Sequence, residues 1–159
     1  MQLRRGNTKT QDEYCLKPYN VMTATRVKAT DAERQIINHW LGIFKRLTSG
    51  PGPRFIQNIG EHFHTGWDFA EPDSILVRRR IMELTFIYPS SSGGFGLLVK
   101  IPEGSLVVEL GHTSGFRETP DGVLIFRGGW KGLTTSGRST GPHWHVQFRR
   151  SNSGHIVLL

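Results

Sequence analysis

Cysteine is nearly missing from this 159-residue chain, and the single thiol, Cys15, excludes an internal disulfide and is too little for a thiolate metal site. No apolar run approaches the ~20 residues that span a bilayer. Arg4 and Arg5 are followed by no apolar stretch, so no secretory signal peptide is expected at this N-terminus. No His-Glu-x-x-His pair occurs, which excludes hydrolysis with a helix-borne Glu as base. The basic residues lack the interleaved aromatics of a nucleic-acid groove. There is no internal repeat and no long low-complexity tract. What is left is enough chain for one domain with a real core.

Charge is present but uneven. Residues 1–60 hold ten Lys or Arg against four Asp or Glu, and residues 61–159 hold ten against nine, so almost all of the net charge of +7 is N-terminal. Such a segment attracts polyanions, and an acidic cell-wall polymer, an anionic lipid or nucleic acid would each satisfy it. A solvated basic face explains the same excess.

Residues 1–29 show no clear period, and Lys17-Pro18-Tyr19-Asn20 suggests a turn. A helix is expected next. Thr30 and Glu33 form a Thr-x-x-Glu capping box. Ile36, Ile37, Trp40, Leu41, Phe44 and Leu47 recur at helical spacing and give one apolar stripe. Lys45 and Arg46 suit its C-terminal end, and Gly50-Pro51 stops it. His39 lies off the stripe and reads as exposed. After Pro53 the pattern changes to short β segments: 75–77, 81–88, 96–101, 106–110, 123–126, 143–148 and 155–159. Ser90-Ser91-Ser92-Gly93-Gly94 and Ser151-Asn152-Ser153-Gly154 read as turns. The fold class is therefore mainly β, an antiparallel sheet or sandwich with one N-terminal amphipathic helix packed on it.

The chemistry is concentrated in histidines. His143 and His145 alternate on a strand pattern and share a face. Two imidazoles are costly to bury without a use, and a metal ion is one such use. Upstream, His64 and Asp68 are four residues apart, which puts both on one face of an extended segment. Asp68 stands between Trp67 and Phe69, where an unpartnered carboxylate is costly. Two His and one carboxylate would leave a fourth metal position for water, as in a catalytic zinc site. His62 is a rival ligand on spacing alone. His112 follows Gly111 and is expected at a strand end or in the loop after it.

These clusters resemble the lysostaphin/LytM-type zinc metallopeptidases that cut peptidoglycan peptides. That family carries a His-x-x-x-Asp motif, then a middle His, then Gly-x-Ser-x-Gly-Pro-His-x-His. Here the counterparts are His64 to Asp68, Leu110 to Ser114, and Gly137 to Phe148, in the same order. Gly52-Pro53-Arg54 resembles the family's Gly-x-Arg. By resemblance, His64, Asp68 and His145 bind Zn2+, while His112 and His143 line the site as catalytic groups. The family's aromatic before the middle His is Leu110 here, the next residue is Thr113, and Val77-Arg78-Arg79-Arg80 replaces small residues. Those departures bear on the substrate groove rather than the metal site.

Charge and periodicity give a basic arm and helix over 1–51, and the resemblance implies a peptidase domain over 52–159. It implies an endopeptidase acting on peptidoglycan cross-links, with the alternative of a non-catalytic LytM-like binding or activator module. A module that has lost its activity would be expected to lose ligands, and none is lost. A cupin is disfavoured because the His-x-His pair comes last. With no signal peptide expected, a phage virion component or lysis enzyme acting on the cell wall fits. Its basic N-terminal part would then dock on a phage structural protein or on the wall.

Overall fold

The Thr30 side chain accepts from the Glu33 amide at 3.2 Å, and the Glu33 carboxylate accepts from the Thr30 amide at 2.8 Å. This capping box starts the single α-helix among the described residues, α1 (Asp31–Leu41), in a computed structural model that describes residues 7–10, 25–56, 60–70, 74–88, 97–128 and 143–159. The helix is shorter than its apolar stripe suggests. It stops at Gly42, whose amide reaches back to the Asn38 carbonyl. Phe44 is buried beyond the helix, and Leu47 is exposed on a strand. The reason is tertiary. Residues 47–49 pair with 67–69, which demands extended backbone, and Arg46 turns the chain there at a φ of 57°. Among the described residues, no helix is long and apolar enough to cross a membrane.

The strands are β1 (Asn7–Thr10), β2 (Arg26–Lys28), β3 (Leu47–Ser49), β4 (Gly52–Ile56), β5 (Gly60–His64), β6 (Trp67–Phe69) and β7 (Ser74–Val77). They continue with β8 (Thr85–Tyr88), β9 (Leu97–Glu103), β10 (Leu106–Glu118), β11 (Leu124–Gly128), β12 (Trp144–Arg150) and β13 (Ile156–Leu158). Residues 81–83 form a 3-10 turn instead of the start of a strand. The chain is mainly β, but the large sheet is mixed: β1 runs parallel to β8 and β13 parallel to β2, and the other pairs are antiparallel. The β4–β5 hairpin forms a sheet of its own.

β10 is the axis of the large sheet. It pairs with β9 along one edge. Its first half pairs with β12 and its second half with β11. β12 in turn pairs with β6 and with β13. Alternation sorts side chains to two faces. Val108, Leu110, Trp144, Val146, Phe148, Trp67 and Phe69 fall on one face and are all buried. Ile37 and Trp40 of α1 belong to the same core. Glu109, His145, Gln147 and Asp68 occupy the alternate positions. Arg4, Arg5, Cys15 and the segments 17–20, 90–94 and 137–142 lie outside the described residues.

Candidate metal centre

His145 and Asp68 are direct cross-strand partners of β12 and β6, so their side chains leave the sheet on one face, side by side. His64 arrives from the other sheet, at the end of β5. The sequence spacing suggests that His64 and Asp68 share one extended segment. Instead the chain breaks at Thr65-Gly66 and the two residues stand on different strands. Gly66 permits the break, because a Cβ there would collide with the Val146 carbonyl and the His145 ring.

The three side chains converge. Asp68 Oδ1 lies 2.9 Å from His145 Nδ1 and 3.2 Å from His64 Nε2, and the two ring nitrogens are 3.3 Å apart. Ligand atoms bound ~2.0–2.1 Å from a tetrahedral ion sit roughly 3.3 Å from one another. Two imidazoles and one carboxylate at this spacing could hold a four-coordinate metal ion with one position left for water. Both histidines are buried, and Asp68 nearly so. Burial pushes the Asp68 carboxyl up, but the hydrogen bonds and charge of His145 and His64 outweigh it and hold the group well below the usual carboxylate range.

Outer contacts orient these groups. His64 Nδ1 lies 2.9 Å from the Gly50 carbonyl and 2.7 Å from Arg54 Nη2. A carbonyl only accepts and a guanidinium only donates, so the two favour opposite tautomers. Donation to Gly50 is the one that leaves Nε2 open toward Asp68 and His145. Arg54 also contacts Ser49 Oγ and reaches Asp68 Oδ2 at 3.5 Å.

His112 is not at a strand end. It sits within the thirteen-residue strand β10, in an irregularity where the register against β9 shifts between Leu110 and Thr113. Its φ of 61° is a left-handed conformation uncommon for a residue other than Gly. The bulge aims its ring at His143, with centroids 4.5 Å apart, and His145 is 6.2 Å away. Burial, then the His145 and His143 charges, push the His112 imidazole down to about 3. His143 Nε2 stands 4.0 Å from Asp68 Oδ1.

Among the described residues, the potential metal-holding group consists of His64, Asp68 and His145, and His62 is not part of it. His62 lines a shallow groove with Arg26, Arg54, Phe55 and Phe63. His39 is exposed on α1. Arg79, from the unusual basic run, donates to Glu103 at 2.9 Å. The sequence reading missed the outer contacts: Thr65, Glu109 and Gln147, all buried, and the carbonyl of Gly50. The available signal was the run His145, Gln147, Arg149, polar at every second position of a strand whose other face is apolar.

No family model and no curated protein matches the chain. Among solved structures it is similar to a point mutant of the catalytic domain of the prophage-encoded M23 protein EnpA from Enterococcus faecalis. The two are 29% identical over 70% of this chain and 85% of that one, with a TM-score of 0.43.

Proposed function

We propose that the protein is a zinc-dependent endopeptidase that hydrolyses peptide cross-links of bacterial peptidoglycan. The observation that carries this reading is the convergence of Asp68 Oδ1, His64 Nε2 and His145 Nδ1 within 3.3 Å of one another, with His112 and His143 beside them. His64, Asp68 and His145 would hold the ion. A zinc ion bound there supplies Lewis acidity to a scissile carbonyl and lowers the pKa of water to about 7.

The other two histidines divide the remaining work. His112 is neutral near pH 7 because burial opposes its charging. A neutral imidazole offers an N–H to a developing oxyanion without carrying a proton away. His143 is left as the proton carrier, taking a proton from water and delivering one to the departing amine. The alternative, a non-catalytic binding or activator module, has no observation in its favour, since all five side chains are present. We assign the basic N-terminal part to docking on an acidic wall polymer or a phage structural protein, with the enzyme virion-associated or released at lysis.

The test is a turbidity assay on purified cell walls, run beside elemental analysis. The parent chain should clear walls and hold about one zinc, the content of a single three-ligand site. His145→Ala should lose both. Clearing that persists in His145→Ala, or a metal-supplied parent without zinc, would overturn the assignment.

A further inference from the structure

β12 buries three polar side chains at alternate positions, His145, Gln147 and Arg149. Such groups are expensive in a core unless each is bonded. Here they belong to one directed chain. Glu109 on β10 is the register partner of Gln147, and Lys100 on β9 is the register partner of Glu109. Arg149 Nε donates to Glu109 Oε1 at 2.7 Å, and Lys100 Nζ lies 3.5 Å from Oε2. Beside two cations Glu109 is a carboxylate, and a carboxylate only accepts.

That settles the direction of everything beyond it. Gln147 must turn its NH2 toward Glu109, donating at 2.7 Å. Its Oε1 then faces His145 Nε2 at 2.8 Å, and the Thr65 hydroxyl donates to the same oxygen at 2.7 Å. An amide oxygen cannot donate, so His145 Nε2 must carry a proton. Nδ1, the nitrogen that faces Asp68 and His64, is then the one whose proton a metal ion would displace.

We infer that Gln147, oriented by Glu109, is a positioning residue that holds His145 in its Nε2–H form and so presents Nδ1 to the metal ion. The inference rests on the reading of His64, Asp68 and His145 as a metal centre. It differs from a packing role, which would move stability without moving the ring proton. Outer hydrogen bonds of this kind fix both tautomer and ring orientation of ligating histidines.

The test uses the full chain, with zinc affinity from chelator competition and nitrogen NMR of the His145 ring. In the metal-free parent, Nε2 should be of the protonated type. Gln147→Met keeps the bulk and removes the amide oxygen, and should weaken zinc binding ~10–100-fold. The exchange Gln147→Glu with Glu109→Gln returns an acceptor to His145 and a donor behind it, and should recover most of the affinity. Unchanged zinc affinity in Gln147→Met, or an unprotonated Nε2 in the parent, overturns the inference. Should Gln147→Met fail to fold, the exchange decides: affinity retained supports the relay, and affinity lost in a folded protein overturns it. A parent that binds no zinc but keeps Nε2–H would sink the metal-centre reading while showing that the relay was not at fault.

Discussion

The two faces of β10 and β12 are made by the same strands, residue by residue in alternation, yet they are built on different physics. On one face Val108, Leu110, Trp144, Val146 and Phe148 are buried against apolar neighbours, and any side chain of similar size would contribute in proportion to its area. On the other, Glu109, His145 and Gln147 are equally buried, and each is useful only while its partner is in place. The apolar face tolerates approximation. The polar face does not, because removing one partner leaves another buried and unsatisfied. Stability is therefore expected to reside mainly on the first face and chemistry on the second.

Substitutions can break that division. The largest effect is expected on the polar face and in rate. His112→Ala or His143→Ala should lower hydrolysis ~10²–10⁴-fold, the range for an acid–base or donor group, while zinc stays bound. Kinetics with parallel metal analysis checks this, and loss of zinc from either variant would make that residue a ligand. Next, Phe148→Ala should destabilise the fold by ~3–5 kcal/mol, the cost of emptying a buried aromatic site. Denaturant unfolding measures the loss, and the zinc affinity of the folded protein should be little changed. A large fall in affinity at unchanged stability would show that the two faces are not separable.

The smallest effect tests a site away from both faces. Two hydrogen bonds from the Arg150 guanidinium, at 2.7 and 2.8 Å, outweigh burial and, with the Thr30 amide, bring the Glu33 carboxyl from 4.5 down to about 2. A carboxylate whose folded pKa is depressed adds stability that is fully present above its unfolded pKa. That stability is lost as pH falls from about 4.5 toward about 2. Glu33→Gln should therefore cost ~1–3 kcal/mol near neutral pH, the worth of a charged hydrogen bond. The difference from the parent should close across that acid window. A difference independent of pH would mean that the contact works through shape rather than charge.

The start of α1 could be read from the chain because a capping box is local: Thr30 and Glu33 need only three residues to find each other. Its end could not. The stripe through Phe44 and Leu47 is helical in period, but pairing of β3 with β6 extends those residues, and that contact spans about twenty positions. Most β segments were visible as runs of β-formers. The first six, β1 to β6, were not: each is five residues or fewer, and β4 and β5 are rich in Gly, His and Pro. The strand order, including the parallel pairing of β13 with β2, follows from no local signal.

The same division holds at the candidate metal centre. The residue types available, and the shared face of His143 and His145, could be read from the chain, since alternation is a property of any strand. Their likeness to a family motif was also a property of order along the chain. It takes the folded sheet to make Asp68 the neighbour of His145, to turn His112 toward His143 at a bulge, and to stand Glu109 across from Gln147. Those facts depend on register between strands far apart in sequence, and a slip of one residue would send each side chain to the opposite face.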